Sequence, residues 1–371
     1  MTLKSTQNIT AHIARTLLAL TFIFSGFVKA IDPLGTVYKI EDYLAAFGGF
    51  FTTFIPLADV AAVVLITAEF TLGVMMLCNI RTNWTAWLSL LFYIVMTPLT
   101  LYIAIKNPVS DCGCFGDALV ITNWQTFWKN IVLLSLVIIL LYTKKALRQT
   151  WQTWMEAVIT AAAIIFVFSW MEYTYLHLPL IDFRPYKIGN NIPELMEYPD
   201  DAEPDEYAIS FIYEKDGKQQ TFTLDNYPKN DPEWKFVDQQ SVLIKKGYEP
   251  PIHDFMLTNI DYDDMTDELL ESTEPVTFIV MYDLDKANTK LFDKVHALCN
   301  QCLNNGDQCY ILTGAGVEQI EAFAADNNFD QTIFISCDPV TLKTIVRANP
   351  GVFVIQDGTI IDKYNLRNKQ F

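Results

Sequence analysis

The sequence predicts an α-helical membrane bundle, four helices plus a fifth linking span, followed by a soluble α/β domain. Three observations predict it. Five apolar stretches in the first half are each about as long as the ~20 residues a helix needs to cross ~30 Å of hydrocarbon. Charge is divided unevenly: residues 1–180 hold 9 acids and 10 Lys/Arg, whereas residues 181–371 hold 34 acids and 16 Lys/Arg, so the second half carries the whole net charge of −17. The last third alternates short buried strands with amphipathic helices, as an α/β unit does. The expected division is 1–150 for the four-helix bundle, 151–180 for the fifth span, 181–249 for a linker and β-rich segment, and 250–371 for the α/β domain. Nucleic acid is excluded as a partner, because phosphate backbones attract basic patches and the soluble half is acidic. The lipid bilayer is the first partner implied.

The spans run at about 11–31, 56–79, 84–105, 124–142 and 154–173. The first lacks a clean small-residue cleavage site and precedes four more, so it reads as a retained span. The turn after span four holds Lys144, Lys145 and Arg148, the densest short basic cluster of the front half. Placed in the cytoplasm by the positive-inside rule, it puts the N-terminus and Arg81 inside too. Lys29, Lys39 and Lys106 then fall outside, against the rule. The expected location is a bacterial inner membrane, N-terminus cytoplasmic and C-terminal domain periplasmic, where disulfides form and persist.

Ionisable groups inside spans are costly and often functional. Glu69 lies mid-span in span two, near Gly73, which allows close helix packing. It is expected to be an ion-pair or proton site, with Arg15 the nearest cation by depth. Lys129 lies about one turn into span four.

Residues 107–124, NPVSDCGCFGDALVITNW, place Cys112 and Cys114 in a turn between spans three and four. Cysteines two apart have α-carbons about 5.5–7 Å apart, the upper edge of disulfide geometry. Gly113 frees the backbone to close that gap. A bridge so tight is strained, and strained disulfides exchange electrons instead of serving as static cross-links. Asp111 and Asp117 oppose thiolate formation, which Lys106 or Lys129 offsets if folded close. Competing readings are two inert residues in a tight loop, a static bridge, or a metal site. Two sulfurs with no nearby His or third Cys make a poor zinc site, so no metal is expected. As an electron partner, a quinone suits the aromatic rings of Phe115, Trp124, Phe127 and Trp128, with the Lys129 ammonium stabilising a developing oxyanion. The competing role for Lys129 is an interfacial lysine in an aromatic belt.

The segments TFIFSGFVKAIDPLG in span one, AEFTLGVMML in span two, and DCGCFGD followed by FWKN resemble the DoxX and MauE membrane proteins. The resemblance covers about 10–145 and implies a four-helix membrane bundle linked to thiol redox or disulfide maturation outside the cell.

Beyond span five, a proline-punctuated linker leads to YAISFIYEKDGKQQTFTL, a hairpin turning at KDGK, and to WKFVDQQSVLIKKG, expected to be extended. PPIHDFMLTN resembles the opening strand of a thioredoxin-like domain. Strand, helix, strand, helix, strand, helix and a hairpin at Asp357–Gly358 follow, and the whole of about 250–366 resembles the thioredoxin fold. That resemblance implies that Pro350 is its cis-proline. The usual CxxC position instead reads YDLDKANTK, residues 282–290, without cysteine. Cys299 and Cys302 spell a CxxC further along the following helix, away from its N-terminal dipole. They read as secondary thiols or as two small helix residues; Cys309 and Cys337 read as core.

Two functions fit the sequence. The first is thiol-disulfide exchange through Cys112 and Cys114, with a quinone and a periplasmic thioredoxin-like or disulfide-bearing protein as partners. The plan is similar to bacterial vitamin K epoxide reductase fusions, in which a soluble domain exchanges electrons with the bundle. The second is a non-catalytic membrane scaffold whose thioredoxin-like domain is a redox-silent docking module.

Overall fold

The first half of the chain folds into the helices α1 (Leu3–Ile31), α2 (Pro33–Phe47), α3 (Ala58–Leu77), α4 (Thr82–Lys106), α5 (Asn123–Thr143) and α6 (Thr153–His177). The computed structural model describes residues 3–370 apart from 110, 148, 149, 205, 230 and 246; Arg148 of the basic turn lies outside them. Among the described residues, five helical segments are long and apolar enough to cross a membrane: Gln7–Ile31, Gly49–Leu77, Thr82–Lys106, Asn123–Ala146 and Thr153–His177. The segment after span one is more than a connection. Asp32 caps α2 by accepting from Gly35 N, and Pro33 starts the helix without losing a hydrogen bond.

Small residues set the bundle's closest contact. A Cβ on Gly26 would lie 2.6 Å from Phe70 N, and one on Gly73 would lie 2.6 Å from Ile23 N. The backbones of α1 and α3 therefore touch at two levels, as small residues permit in membranes. The α6 side chains of Ala163, Val167 and Met171 pack on Ile66 and Phe70 of α3. A capping box between Thr122 and Gln125 starts α5 directly after the cysteine turn.

The second half of the chain holds two sheets. The first has order β2-β1-β3, from β1 (Glu206–Lys215), β2 (Lys218–Thr223) and β3 (Lys235–Lys245). Its hairpin turns at Asp216 and Gly217, both at positive φ, in line with the KDGK signal. A short α7 (Ile192–Met196) precedes it. The second sheet is mixed, ordered β4-β7-β6-β5-β8-β9, and is built from β4 (Thr258–Asn259), β5 (Val276–Val280), β6 (Gln308–Thr313), β7 (Phe334–Ser336), β8 (Gly351–Gln356) and β9 (Thr359–Asn365). β5, β6 and β7 run parallel, while β8 and β9 form the antiparallel hairpin turning at Asp357–Gly358.

Helices cover both faces of this sheet, which is why β5 is buried at every position. Ile279 and Ile311 face α9 (Phe292–Asn305) and α10 (Val317–Asn327). Phe278, Val280 and Leu312 face α8 (Thr266–Leu270) and α11 (Pro339–Ile345). The expected opening strand over PPIHDFMLTN is a correction: only Thr258 and Asn259 pair, antiparallel to β7. The backbone before them bonds elsewhere: Ile252 N donates to Leu195 O, and Leu257 N to Thr266 Oγ1. The Asn349–Pro350 peptide is cis.

The β5 end of this sheet docks on the bundle. Tyr282 Oη is 3.2 Å from Tyr38 Oη of α2, and Arg347 Nη2 is 2.8 Å from Asp32 Oδ2.

Candidate functional site

The cysteine turn is shaped by its glycines and held by its acids. Gly113 and Gly116 take positive φ, and Gly116 N donates to Gly113 O. Asp111 accepts from Gly113 N at 2.8 Å and from Lys39 Nζ of α2 at 2.7 Å. Tyr43 Oη donates to Cys112 O at 2.6 Å. The result brings Cys112 Sγ and Cys114 Sγ to 2.9 Å, both as free thiols.

Beneath the turn lies a buried polar cluster. Lys29 Nζ of α1 is 2.9 and 2.7 Å from the two carboxylate oxygens of Glu69 on α3, and 2.8 Å from Ser25 Oγ. Ser25 Oγ is in turn 2.8 Å from both Glu69 Oε2 and Cys114 O. A hydroxyl has one proton, so Ser25 serves the carboxylate or the cysteine carbonyl, one at a time. The buried ion pair is thus tied directly to the thiol turn.

Lys29, and not Arg15, is therefore the partner of Glu69. The Gly26–Phe70 and Gly73–Ile23 contacts fix an antiparallel register of α1 on α3 that brings Lys29 level with Glu69. Arg15 lies 14 positions earlier on α1, about 21 Å along the axis.

Thiol pair and ion pair line one cavity of about 570 Å³ that reaches from the bundle to the docked soluble domain. Phe115 and Lys129 line it too, and Lys129 Nζ sits 4.3 Å from the Phe115 ring centroid. Trp124, Phe127 and Trp128 do not line it. Trp124 and Trp128 are one helical turn apart on the outer side of α5, 50% and 60% exposed. The expected four-ring cluster around Lys129 thus reduces to Phe115, because α5 turns Thr126, Asn130 and Leu133 inward instead. Lys106 is exposed and outside the cavity.

The two thiols are unlike. Cys114 is held down to about 6, first by the hydrogen bond from Cys112, then by Lys129 and Lys29 against the opposing effect of burial. Cys112 is pushed up by donating that bond and by burial. The nearby acids do not dominate, because Asp111 is paired with Lys39, and Asp117 lies 3.6 Å from Arg347.

The cavity mouth is closed by residues the sequence did not single out. Arg347, 8% exposed, binds Asp32 through Nε and Nη2 and also faces Asp117 of the cysteine turn. Burial pushes the Asp32 carboxyl up, but Arg347 and Arg184 outweigh it and hold it below the usual range. Arg184 and Lys363 share Asp182 next to this clasp. Among the missed residues, Ser25 and Lys29 had a signal, a serine and a lysine one helical turn apart on an apolar helix. Arg347 had none, being a lone arginine between a short helix and a strand.

In the soluble domain, residues 282–288 form an irregular loop against α2, pinned where Asn349 Nδ2 donates to Asp283 O at 2.7 Å. Cys299 and Cys302 lie in the second half of α9, at the other end of the sheet from this loop. Among the described residues, no group of three or more His, Cys, Asp or Glu is arranged to hold a metal ion.

Five apolar helices, with a thiol-bearing cavity at one end of the bundle, define a membrane protein. Residues 7–143 match the family model described as Methylamine utilisation protein MauE. The match contains Ser25, Lys29, Glu69, both turn cysteines and Lys129, but neither Arg184 nor Arg347. Residues 207–246, which hold most of the three-stranded sheet, match a Domain of unknown function (DUF8463). No curated protein matches the chain.

Proposed function

We propose that this chain is a membrane thiol-disulfide redox protein working through Cys112 and Cys114, with a quinone as electron acceptor, in support of disulfide chemistry in the cell envelope. In the oxidising direction the two thiols become one disulfide, and two electrons and two protons pass to the quinone, giving the quinol. The observation that carries this reading is the thiol pair, sulfurs 2.9 Å apart, in one cavity with Lys129 and the Lys29–Glu69 pair. Cys114 is the nucleophile of the two, since a thiolate attacks and a thiol does not. The cavity has the volume of a small-molecule site, and its Phe22, Phe92 and Leu99 walls suit a quinone ring. The soluble domain, read as thioredoxin-like from its strand order and from Pro350, lacks cysteine at residues 282–290 and serves as a cap. A separate periplasmic thioredoxin-like or disulfide-bearing protein is then the thiol partner.

Reconstitution in proteoliposomes with a short-chain quinone tests the proposal. Quinone-dependent oxidation of an added dithiol is expected, and Cys114→Ser is expected to abolish it. If Cys112 and Cys114 never change redox state, the second reading takes over: a non-catalytic scaffold. That reading is favoured by Tyr282, which opens the loop 282–290 and is hydrogen-bonded to Tyr38 of the bundle where a working active site would need to be free.

A further inference from the structure

Three cysteines that are distant from the membrane cavity come together on the soluble domain. Cys299 and Cys302 are one turn apart on α9, and Cys309 enters from the first residues of β6. Cys309 Sγ lies 3.8 Å from Cys299 Sγ and donates towards it. Cys299 and Cys309 are half-buried, whereas Cys302 is 5% exposed and belongs to the core beneath. Cys309 pairs with Thr277 at the start of β5. Tyr282, which touches the bundle, is five residues further on, about 16 Å along the strand direction. The cluster therefore sits at the pole facing away from the bundle, and no sulfur of it reaches the cavity.

We infer that Cys299 and Cys309 form a second two-electron thiol site, separate from the membrane pair, that is oxidised by small disulfides. The spelled motif, Cys299–Cys302, is not the working pair: Cys302 is the enclosed sulfur, and Cys309 is the partner that Cys299 meets.

The chemistry follows from the hydrogen bond. By accepting from Cys309, Cys299 is held below the ordinary thiol range, although burial opposes this. Cys309 is pushed up, first because it donates to Cys299, and further by the nearby Cys302 sulfur and by burial. Cys299 attacks the small disulfide, forming a mixed disulfide and releasing one thiolate. Cys309 then attacks Cys299 Sγ, closes the protein disulfide and releases the second thiolate. Two protein thiols are oxidised, one external disulfide is reduced to two thiols, and two protons leave the protein.

The test uses the full chain, reduced in detergent and exposed to oxidised glutathione. Free thiols are then blocked and the chain is cut before aspartates. Cleavage at Asp293, Asp307 and Asp326 separates residues 293–306, with Cys299 and Cys302, from residues 307–325, with Cys309. The expected product is these two peptides linked through Cys299, with loss of two of the three blockable thiols. A bond inside 293–306 overturns the inference, as do three thiols that stay free or carry glutathione without closing. In Cys309→Ser, glutathione is expected to remain on Cys299. If that variant does not fold, the linkage map of the unmodified chain still decides.

Discussion

Lys29 and Glu69 face each other across the closest helix contact in the bundle, Nζ 2.7 Å from Oε2, each side chain 6% exposed. Removing one partner of such a pair leaves an uncompensated buried charge, which costs about 3–5 kcal/mol. Lys29→Met and Glu69→Met should therefore each lower the thermal unfolding midpoint in detergent, and the double variant should recover most of the loss. Single variants that unfold with the parent would show that the pair carries no such weight.

The glycines beneath this pair give a second expectation. A Cβ at position 73 would press to 2.6 Å on the backbone nitrogen of Ile23, where no side-chain rotation relieves it. Gly73→Ala should destabilise the bundle by about 1–3 kcal/mol, the usual cost of overpacking. An exposed α1 position such as Leu17 changed to Ala serves as the control. Equal unfolding midpoints for the two variants would refute the close contact.

Reactivity of the turn should follow pH in a particular direction. With its thiol held down to about 6, Cys114 is protonated below that value and a thiolate above it. Its alkylation rate should rise through about pH 6 and level off well before the ~8.5 of an ordinary cysteine. Lys129→Ala removes a cation that favours the thiolate, so the inflection should move up. A single inflection near the ordinary value in both proteins would be the contrary result.

The clasp at the cavity mouth can be opened by one change. Arg347→Ala leaves Asp32 and Asp117 without their shared cation. Weakening the cap by about 1.4 kcal/mol or more corresponds to at least a tenfold gain in open population. Labelling of Cys112 and Cys114 by a bulky water-soluble maleimide should increase by that factor. Unchanged labelling would mean that the cap does not control access.

The five spans were legible because hydrocarbon demands a length and a composition that no other element shares. Both hairpins were legible because the turns at Asp216–Gly217 and Asp357–Gly358 require positive φ. That Cys112 and Cys114 meet was legible from their spacing around Gly113, whose positive φ lets the turn close. What failed was depth and facing. Distance from the helix ends matches Arg15 to Glu69, but the Gly26 and Gly73 contacts set the register and select Lys29. Trp124 and Trp128 were grouped with Lys129 by nearness in sequence, although they lie one turn apart on the exposed side of α5. Arg347 was out of reach of any local reading, because its partner Asp32 is 315 positions away.

That separation has a consequence for how the chain matures. Translation delivers the cysteine turn and its ion pair early, and Arg347 only near the end. Until α11 and the final hairpin have folded, Asp32 and Asp117 lack the cation that clasps them together. A chain halted before residue 347 would never gain it, so the clasp joins the earliest and latest parts of the fold.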